Sequence, residues 1–168
     1  MSKKIFISVP MTGRTKEQVF RDLKIAREFI RRYIDADAET FDGWVESDPT
    51  PDVANAGVYY LARSLEVMSR CDSIFMCVYP GCNRYKGCWL EYQAAIAYGL
   101  EEVDKCLCYT GEGFERWLAC AKKIDAIDQL SEKITDMTLQ GASEAERAAT
   151  IKESMSAIDA INQETRTE

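Results

Sequence analysis

The order of hydrophobic patterns along the chain predicts an α/β domain with an open, doubly wound parallel sheet and helices on both faces. Short apolar runs alternate with amphipathic segments in the order β-α-(β)-α-β-α-β-α. The run at 73–79 (SIFMCVY) is continuously apolar, as in a central parallel strand that is buried on both faces. Ligands of such sheets bind beyond the carboxyl ends of the strands, where the strand order reverses. We therefore expect functional residues in the two loops that leave strand ends, Pro10–Arg14 and Pro80–Lys86.

The first unit of this pattern is a strand, a short loop and a helix. Lys4–Val9 (KIFISV) is rich in β-branched and aromatic residues and is followed by Pro10, which indicates a buried strand. Thr15–Gln18 (TKEQ) has the pattern of a capping box, and apolar residues at helical spacing then predict a helix to about Tyr33. A weak second strand is expected at 38–44, before a loop with two prolines.

The same periodicities predict the remaining elements. These are helices at about 59–70, 87–98 and 114–127, and a short strand at 104–109. Gly99 suits the C-cap of the second of these helices.

The tail has a different character from the rest of the chain. Ser143–Glu146 has the pattern of another capping box and opens a helix with a thin apolar stripe. We expect this stripe to pack on its own domain or, alternatively, to make a subunit contact in a homo-oligomer. The predicted division is an α/β domain at 1–130 and a C-terminal helical extension at 131–168.

Composition excludes several classes of function. A net charge of −7 argues against binding to a nucleic acid polymer, which depends on Lys and Arg neutralising phosphates. The absence of histidine excludes Ser-His-Asp and Cys-His nucleophile pairs and histidine acid–base catalysis. The seven cysteines are odd in number and form no CxxC pair, so we expect reduced cysteines and no metal site. We also expect no cofactor. Neither a signal peptide nor a membrane span is evident, so a cytoplasmic location is expected.

Glu91 is the strongest candidate for a reacting group. It lies about one turn into the helix that begins at Gly87. On its own, a carboxylate near a helix N-terminus indicates no more than a favourable interaction with the helix dipole. Gly87, however, lets the backbone approach a ligand closely, and Glu91 is expected to face the crevice at the end of the central strand.

The loop after the first strand is a candidate anion site. Met11, Thr12, Gly13 and Arg14 offer a hydroxyl, a guanidinium and the N–H groups of the following helix, a set that suits a phosphate or carboxylate. The alternative is a simple turn. Arg84 and Lys86 of the second loop either add positive charge or are solvated. The aromatic residues also leave two interpretations open, stacking on a base or packing in the core or at its rim; they are Tyr59, Tyr60, Trp44 and Trp89.

Three blocks of sequence resemble the nucleoside 2-deoxyribosyltransferase-like superfamily, most closely a branch of uncharacterised domains found in bacteria and phages. The blocks are Ile5–Arg14 (IFISVPMTGR), Tyr60–Asp72 and Arg84–Gly99 (RYKGCWLEYQAAIAYG). Together they cover roughly residues 4–109.

The resemblance implies a flavodoxin-like domain that cleaves or exchanges an N-glycosidic bond of a nucleoside or nucleotide. Glu91 matches the family glutamate that forms a glycosyl-enzyme intermediate, and Met11–Arg14 match the loop that holds a 5′-phosphate in the nucleotide-hydrolase relatives. Tyr60 or Trp89 would line the base. Ser64 stands where characterised members carry an aspartate that contacts the base or assists proton transfer. A hydroxyl is not an acid at neutral pH, so a non-catalytic, nucleotide-binding protein that sequesters or senses its ligand is the alternative.

Overall fold

The computed structural model describes residues 2–44, 52–77, 85–103 and 111–164, apart from the side chains of Asn162 and Glu164. Several predicted features lie outside these ranges: most of the loop that contains Arg84, the end of the strand predicted at 73–79 and the strand predicted at 104–109. The described elements are β1 (Lys4–Ser8), α1 (Lys16–Tyr33), β2 (Glu39–Asp42), α2 (Ala56–Met68), β3 (Ser73–Met76), α3 (Lys86–Ala97), β4 (Glu101–Glu102), α4 (Gly111–Leu139) and α5 (Glu144–Glu164).

Within the described part of the chain, four parallel strands form one sheet in the order β2-β1-β3-β4. Phe6 of β1 pairs with Phe41 on one side and with Ile74 on the other. The chain runs from β1 outward to β2 and then crosses to β3 on the opposite side of β1, so the strand order reverses between β1 and β3. This is the doubly wound, flavodoxin-like α/β arrangement that the sequence predicts.

The two faces of the sheet bury alternate residues of the same strands. Phe6, Ile74 and Met76 belong to a core that also contains residues of α2 and α3, among them Met68, Cys88 and Ala95. On the other face, Phe75 contacts Phe29 of α1, with ring centroids 5.6 Å apart. The central strands are therefore buried on both sides, which explains the continuous apolar run of β3.

The predicted local signals have their expected structures. Thr15 and Gln18 form both hydrogen bonds of the capping box that opens α1. Gly99 follows α3 with a φ of +81°, a conformation that favours glycine, and the next N–H bonds back to Ala95. The second strand, expected at 38–44, is β2.

The chain divides into two compact units, Met1–Phe114 and Glu115–Glu168, whereas the sequence prediction placed a division after residue 130. In the second unit, Ser143 and Glu146 form the predicted capping box at the start of α5. Part of the apolar stripe of α5 lies against α4: Ile158 is buried, whereas Ile151 and Met155 are exposed. The two helices border a groove of about 250 Å³ lined by Ala126, Gln129, Leu130, Lys133, Ser154, Ala157, Ile158 and Ile161. None of the helices in the described ranges has the length and apolar character needed to cross a membrane.

Candidate functional site

The carboxyl group of Glu91 lies at the carboxyl end of β1. The Ser8 hydroxyl, at the last position of this strand, donates a hydrogen bond of 2.6 Å to Glu91 Oε2. Ser8 is two residues after Phe6, so its side chain is on the face of the sheet that α2 and α3 cover. Both partners are buried, with exposed fractions of 1% for Ser8 and 7% for Glu91. The site is therefore at the edge of the sheet that the sequence predicts, next to the reversal of strand order.

Ser64 of α2 also hydrogen-bonds to the Glu91 carboxyl group through its side chain. It is buried between this carboxyl group and the end of β2. A Cβ atom added at Gly43, the residue after β2, would overlap Ser64 Oγ and would lie 3.1 Å from Ser64 Cβ. Because Ile7 pairs with Asp42, Gly43 follows in register beside Ser8. A glycine is thus needed at this position for α2 to bring the Ser64 hydroxyl to the site.

Burial raises the pKa of Glu91, and the hydrogen bonds from Ser8 and Ser64 oppose this effect in part. The net direction is upward, because water solvates an ionised carboxylate better than two hydroxyl groups do. A buried carboxyl group with a raised pKa, at the crevice of an α/β sheet, is the kind of group that acts as a nucleophile or as an acid–base catalyst.

The predicted anion loop follows β1 at the same edge of the sheet. Gly13 has a φ of +75°, and the N–H of Arg14 bonds to the Met11 carbonyl at 3.1 Å, which closes a turn. The Arg14 guanidinium is held by the carbonyls of Pro10 and Gln18 and by an ion pair of 2.8 Å with Asp22. The structure therefore places the arginine near the predicted edge but gives it an acidic partner inside the chain.

The other predicted site residues lie on α2 and α3. Gly87 is exposed, and the space beside its Cα is open, as a close approach by a ligand requires. Trp89 stacks on Tyr92, with ring centroids 5.5 Å apart, and Tyr60 meets Tyr59 edge to face at 5.4 Å. Their rings thus contact neighbouring rings, and base stacking by Tyr60 or Trp89 stays a prediction.

Trp44 and Lys86, the remaining described candidates, lie in different surroundings from Tyr60 and Trp89. Trp44 and Phe20 are half-buried and meet edge to face at 5.1 Å, which is packing at the rim of the core. Lys86 is exposed at the start of α3.

Ser8, Gly43 and Asp22 are the residues that sequence reasoning missed. Ser8 could have been recognised from the sequence. Alternate residues of a strand share a face, so Ser8 is expected on the same buried face as Phe6, where a hydroxyl group needs a polar partner. Gly43 gave no sequence signal, because its role depends on a contact with α2, which is distant in the chain. Asp22 gave none, because its pairing with Arg14 depends on how the loop folds back on the second turn of α1.

No family model matches the chain, and neither a curated protein nor a solved structure matches it. Across the described ranges, no three Cys, Asp or Glu side chains gather as metal ligands would. The functional argument therefore begins from the Glu91 site itself.

Proposed function

We propose that the protein cleaves or exchanges the N-glycosidic bond of a nucleoside or nucleotide, with Glu91 as the nucleophile. The observation that carries this proposal is the buried Glu91 carboxyl group, held at 2.6 Å by Ser8 at the crevice end of β1. The three sequence blocks that resemble nucleoside 2-deoxyribosyltransferases support it, because the matching glutamate is the one at this position.

The reaction would proceed in two steps through a glycosyl ester. A carboxylate oxygen of Glu91 attacks the anomeric carbon and forms a bond to it, while the carbon–nitrogen bond breaks and its electron pair passes to the base. When the substrate is an uncharged nucleoside, the departing base also takes up a proton. Water or an acceptor base then attacks the same carbon, breaks the ester bond and restores the carboxylate, with the loss of one proton.

The surrounding residues would bind and orient the substrate. Ser8 and Ser64 hold the carboxyl group, and open space beside Gly87 admits the sugar. The turn at Met11–Arg14 would face a 5′-phosphate or sugar oxygens, although a phosphate would have to compete with Asp22 for the Arg14 guanidinium.

A second candidate function is non-catalytic nucleotide binding. Ser64 favours it, because this position presents a hydroxyl to the Glu91 carboxyl group where the related enzymes have an acid. Binding needs no proton for a departing base, whereas cleavage of a neutral nucleoside does.

Base release from a panel of nucleosides and nucleotides, with and without an acceptor base, separates these functions. The wild type should release free base, and mass spectrometry of the quenched protein should find a sugar adduct on the peptide that contains Glu91. Glu91→Gln should abolish both signals. Glu66→Gln, which removes an exposed carboxylate from α2, is the matched control and should retain them. Thermal stabilisation by a nucleotide without any base release would favour the binding function instead.

A further inference from the structure

We propose that the Glu91 site prefers N-glycosides whose base carries a positive charge, such as a pyridinium or a quaternised purine. This inference rests on the proposed function, since it names the class of substrate that the same site would take. Two arrangements of charge in the described residues carry it.

The first arrangement is the neutral surrounding of a buried carboxylate. Within the described ranges, the groups that hydrogen-bond to Glu91 are the hydroxyls of Ser8 and Ser64, and Glu91 makes no ion pair. Hydroxyl groups solvate an anion but do not balance its charge. A buried charge is stable when it is paired, so the ionised site is complementary to a cation brought in by the ligand.

The second arrangement is the internal pairing of the neighbouring arginine. The Arg14 guanidinium is 2.8 Å from Asp22 and is also bonded to the carbonyls of Pro10 and Gln18. Its positive charge is thus offset within the loop and the first turns of α1. Lys86, at the start of α3, is exposed to solvent, so the charge that is buried at this edge of the sheet, among the described residues, is the negative charge of Glu91.

The chemistry of a cationic leaving group fits the hydroxyl at position 64. When Glu91 attacks the anomeric carbon of a pyridinium riboside, the electron pair of the broken carbon–nitrogen bond neutralises the ring nitrogen. The base then leaves without taking up a proton, so no acid is needed in this step. Hydrolysis of the glycosyl ester by water restores the carboxylate and yields the free sugar and one proton.

A matched pair of ligands tests the charge preference apart from catalysis. Carbocyclic nicotinamide riboside is cationic and has no glycosidic bond to cleave, and its 1,4-dihydro form is neutral with the same heavy atoms. Isothermal titration calorimetry near pH 8 should show that the wild type binds the cation at least about tenfold more tightly, which corresponds to about 1.4 kcal/mol. In Glu91→Gln this ratio should fall close to one, and in the control Glu66→Gln it should persist. A ratio near one in the wild type, an unchanged ratio in Glu91→Gln, or no binding of either ligand would overturn the inference.

Turnover of natural ribosides distinguishes a failure of the charge preference from a failure of the proposed glycosidase function. Base release from nicotinamide riboside and from adenosine is measured for the wild type, each relative to its rate without protein. Faster relative release from adenosine would overturn the charge preference and leave the glycosidase function standing. A charge preference in binding, with no base release from either riboside, would support the inference for a binding protein and remove the catalytic function.

Discussion

The hydrogen bond between Ser8 and Glu91 gives a prediction that depends on both burial and ionisation. Ser8→Ala removes a hydroxyl that lies 2.6 Å from Glu91 Oε2 and leaves the carboxyl group buried. A hydrogen bond to a charged group contributes about 1.5–3 kcal/mol to stability, and one between neutral groups contributes about 1 kcal/mol. The substitution is therefore expected to destabilise the fold by about 2 kcal/mol where Glu91 is ionised and by about 1 kcal/mol where it is protonated.

The direction of the pH dependence follows from the raised pKa of Glu91. A carboxyl group whose pKa is higher in the folded than in the unfolded state opposes folding once it ionises. Stability is thus lost as pH rises from about 4.3, the ordinary glutamate pKa, through the higher pKa of the folded protein. The Ser8 hydroxyl lowers that pKa, so its removal should make this loss larger.

The assay is urea unfolding of the wild type and Ser8→Ala, followed by circular dichroism at several pH values between about 5 and 8. In a parallel thermal unfolding experiment, a loss of about 2 kcal/mol corresponds to a decrease of roughly 4–8 °C in Tm for a chain of this size. Ser73→Ala is the matched control: Ser73 is equally buried on the neighbouring strand, and among the described residues its Oγ has no hydrogen-bond partner. The control should be neutral or slightly stabilising. Equal losses for the two variants, or a loss in Ser8→Ala that does not grow with pH, would refute the reasoning.

Further predictions concern the packing, the loop and a buried thiol. Gly43→Ala places a Cβ atom on Ser64 Oγ and should destabilise the fold by about 1–3 kcal/mol in urea unfolding, and less when Ser64 is already alanine. Asp22→Asn removes the acidic partner of the Arg14 guanidinium and should increase the affinity for a nucleoside 5′-monophosphate relative to its nucleoside, measured by calorimetry. Burial raises the pKa of Cys71 to about 11. At pH 8 about one molecule in a thousand then carries the thiolate, so mass spectrometry should find that iodoacetamide modifies Cys71 much more slowly in the folded protein than in urea.

Each of these outcomes can contradict its premise. A cost of Gly43→Ala that is the same with Ser64 or alanine at position 64 would show that the overlap is not its cause. An unchanged phosphate preference in Asp22→Asn would exclude the loop as the phosphate site. Modification of Cys71 at the same rate in folded and unfolded protein would contradict its burial.

The sequence predicted the fold well for the strands at the centre of the sheet. β1 and β3 bury both faces, so their apolar runs are continuous and easily recognised. It predicted the end of α4 poorly, at about residue 127 in place of Leu139. The helical spacing of apolar residues in fact continues beyond that point at Leu130, Ile134 and Met137, so the periodicity itself extends the helix, and Leu130 borders the groove beside α5.

The residues of the candidate site could be selected from the sequence, whereas their contact partners could not. Glu91 and Ser64 could be selected because they lie in blocks that resemble a known family, and the loop at Met11–Arg14 because it follows a strand. The partners of these groups come from elsewhere: Ser8 is 83 residues from Glu91, and Asp22 pairs with Arg14 from two turns along α1. Such contacts are fixed by strand register and helix placement, and no local pattern encodes them.

The environment of Glu91 also decides against the simplest explanation of its position, a favourable interaction with a helix dipole. Glu17 and Glu146 lie in the first turns of α1 and α5, both are exposed, and hydrogen bonds at the N-termini of these helices lower their pKa values. Glu91 differs in each respect: it is buried, its pKa is raised, and its hydrogen bonds reach across to β1 and α2. A carboxyl group that only stabilised its own helix would gain nothing from this burial, which weakens the fold as the group ionises. Its position at the crevice end of β1 thus supports the role toward a ligand that we propose, and a ligand with a positive charge would restore the stability that ionisation removes.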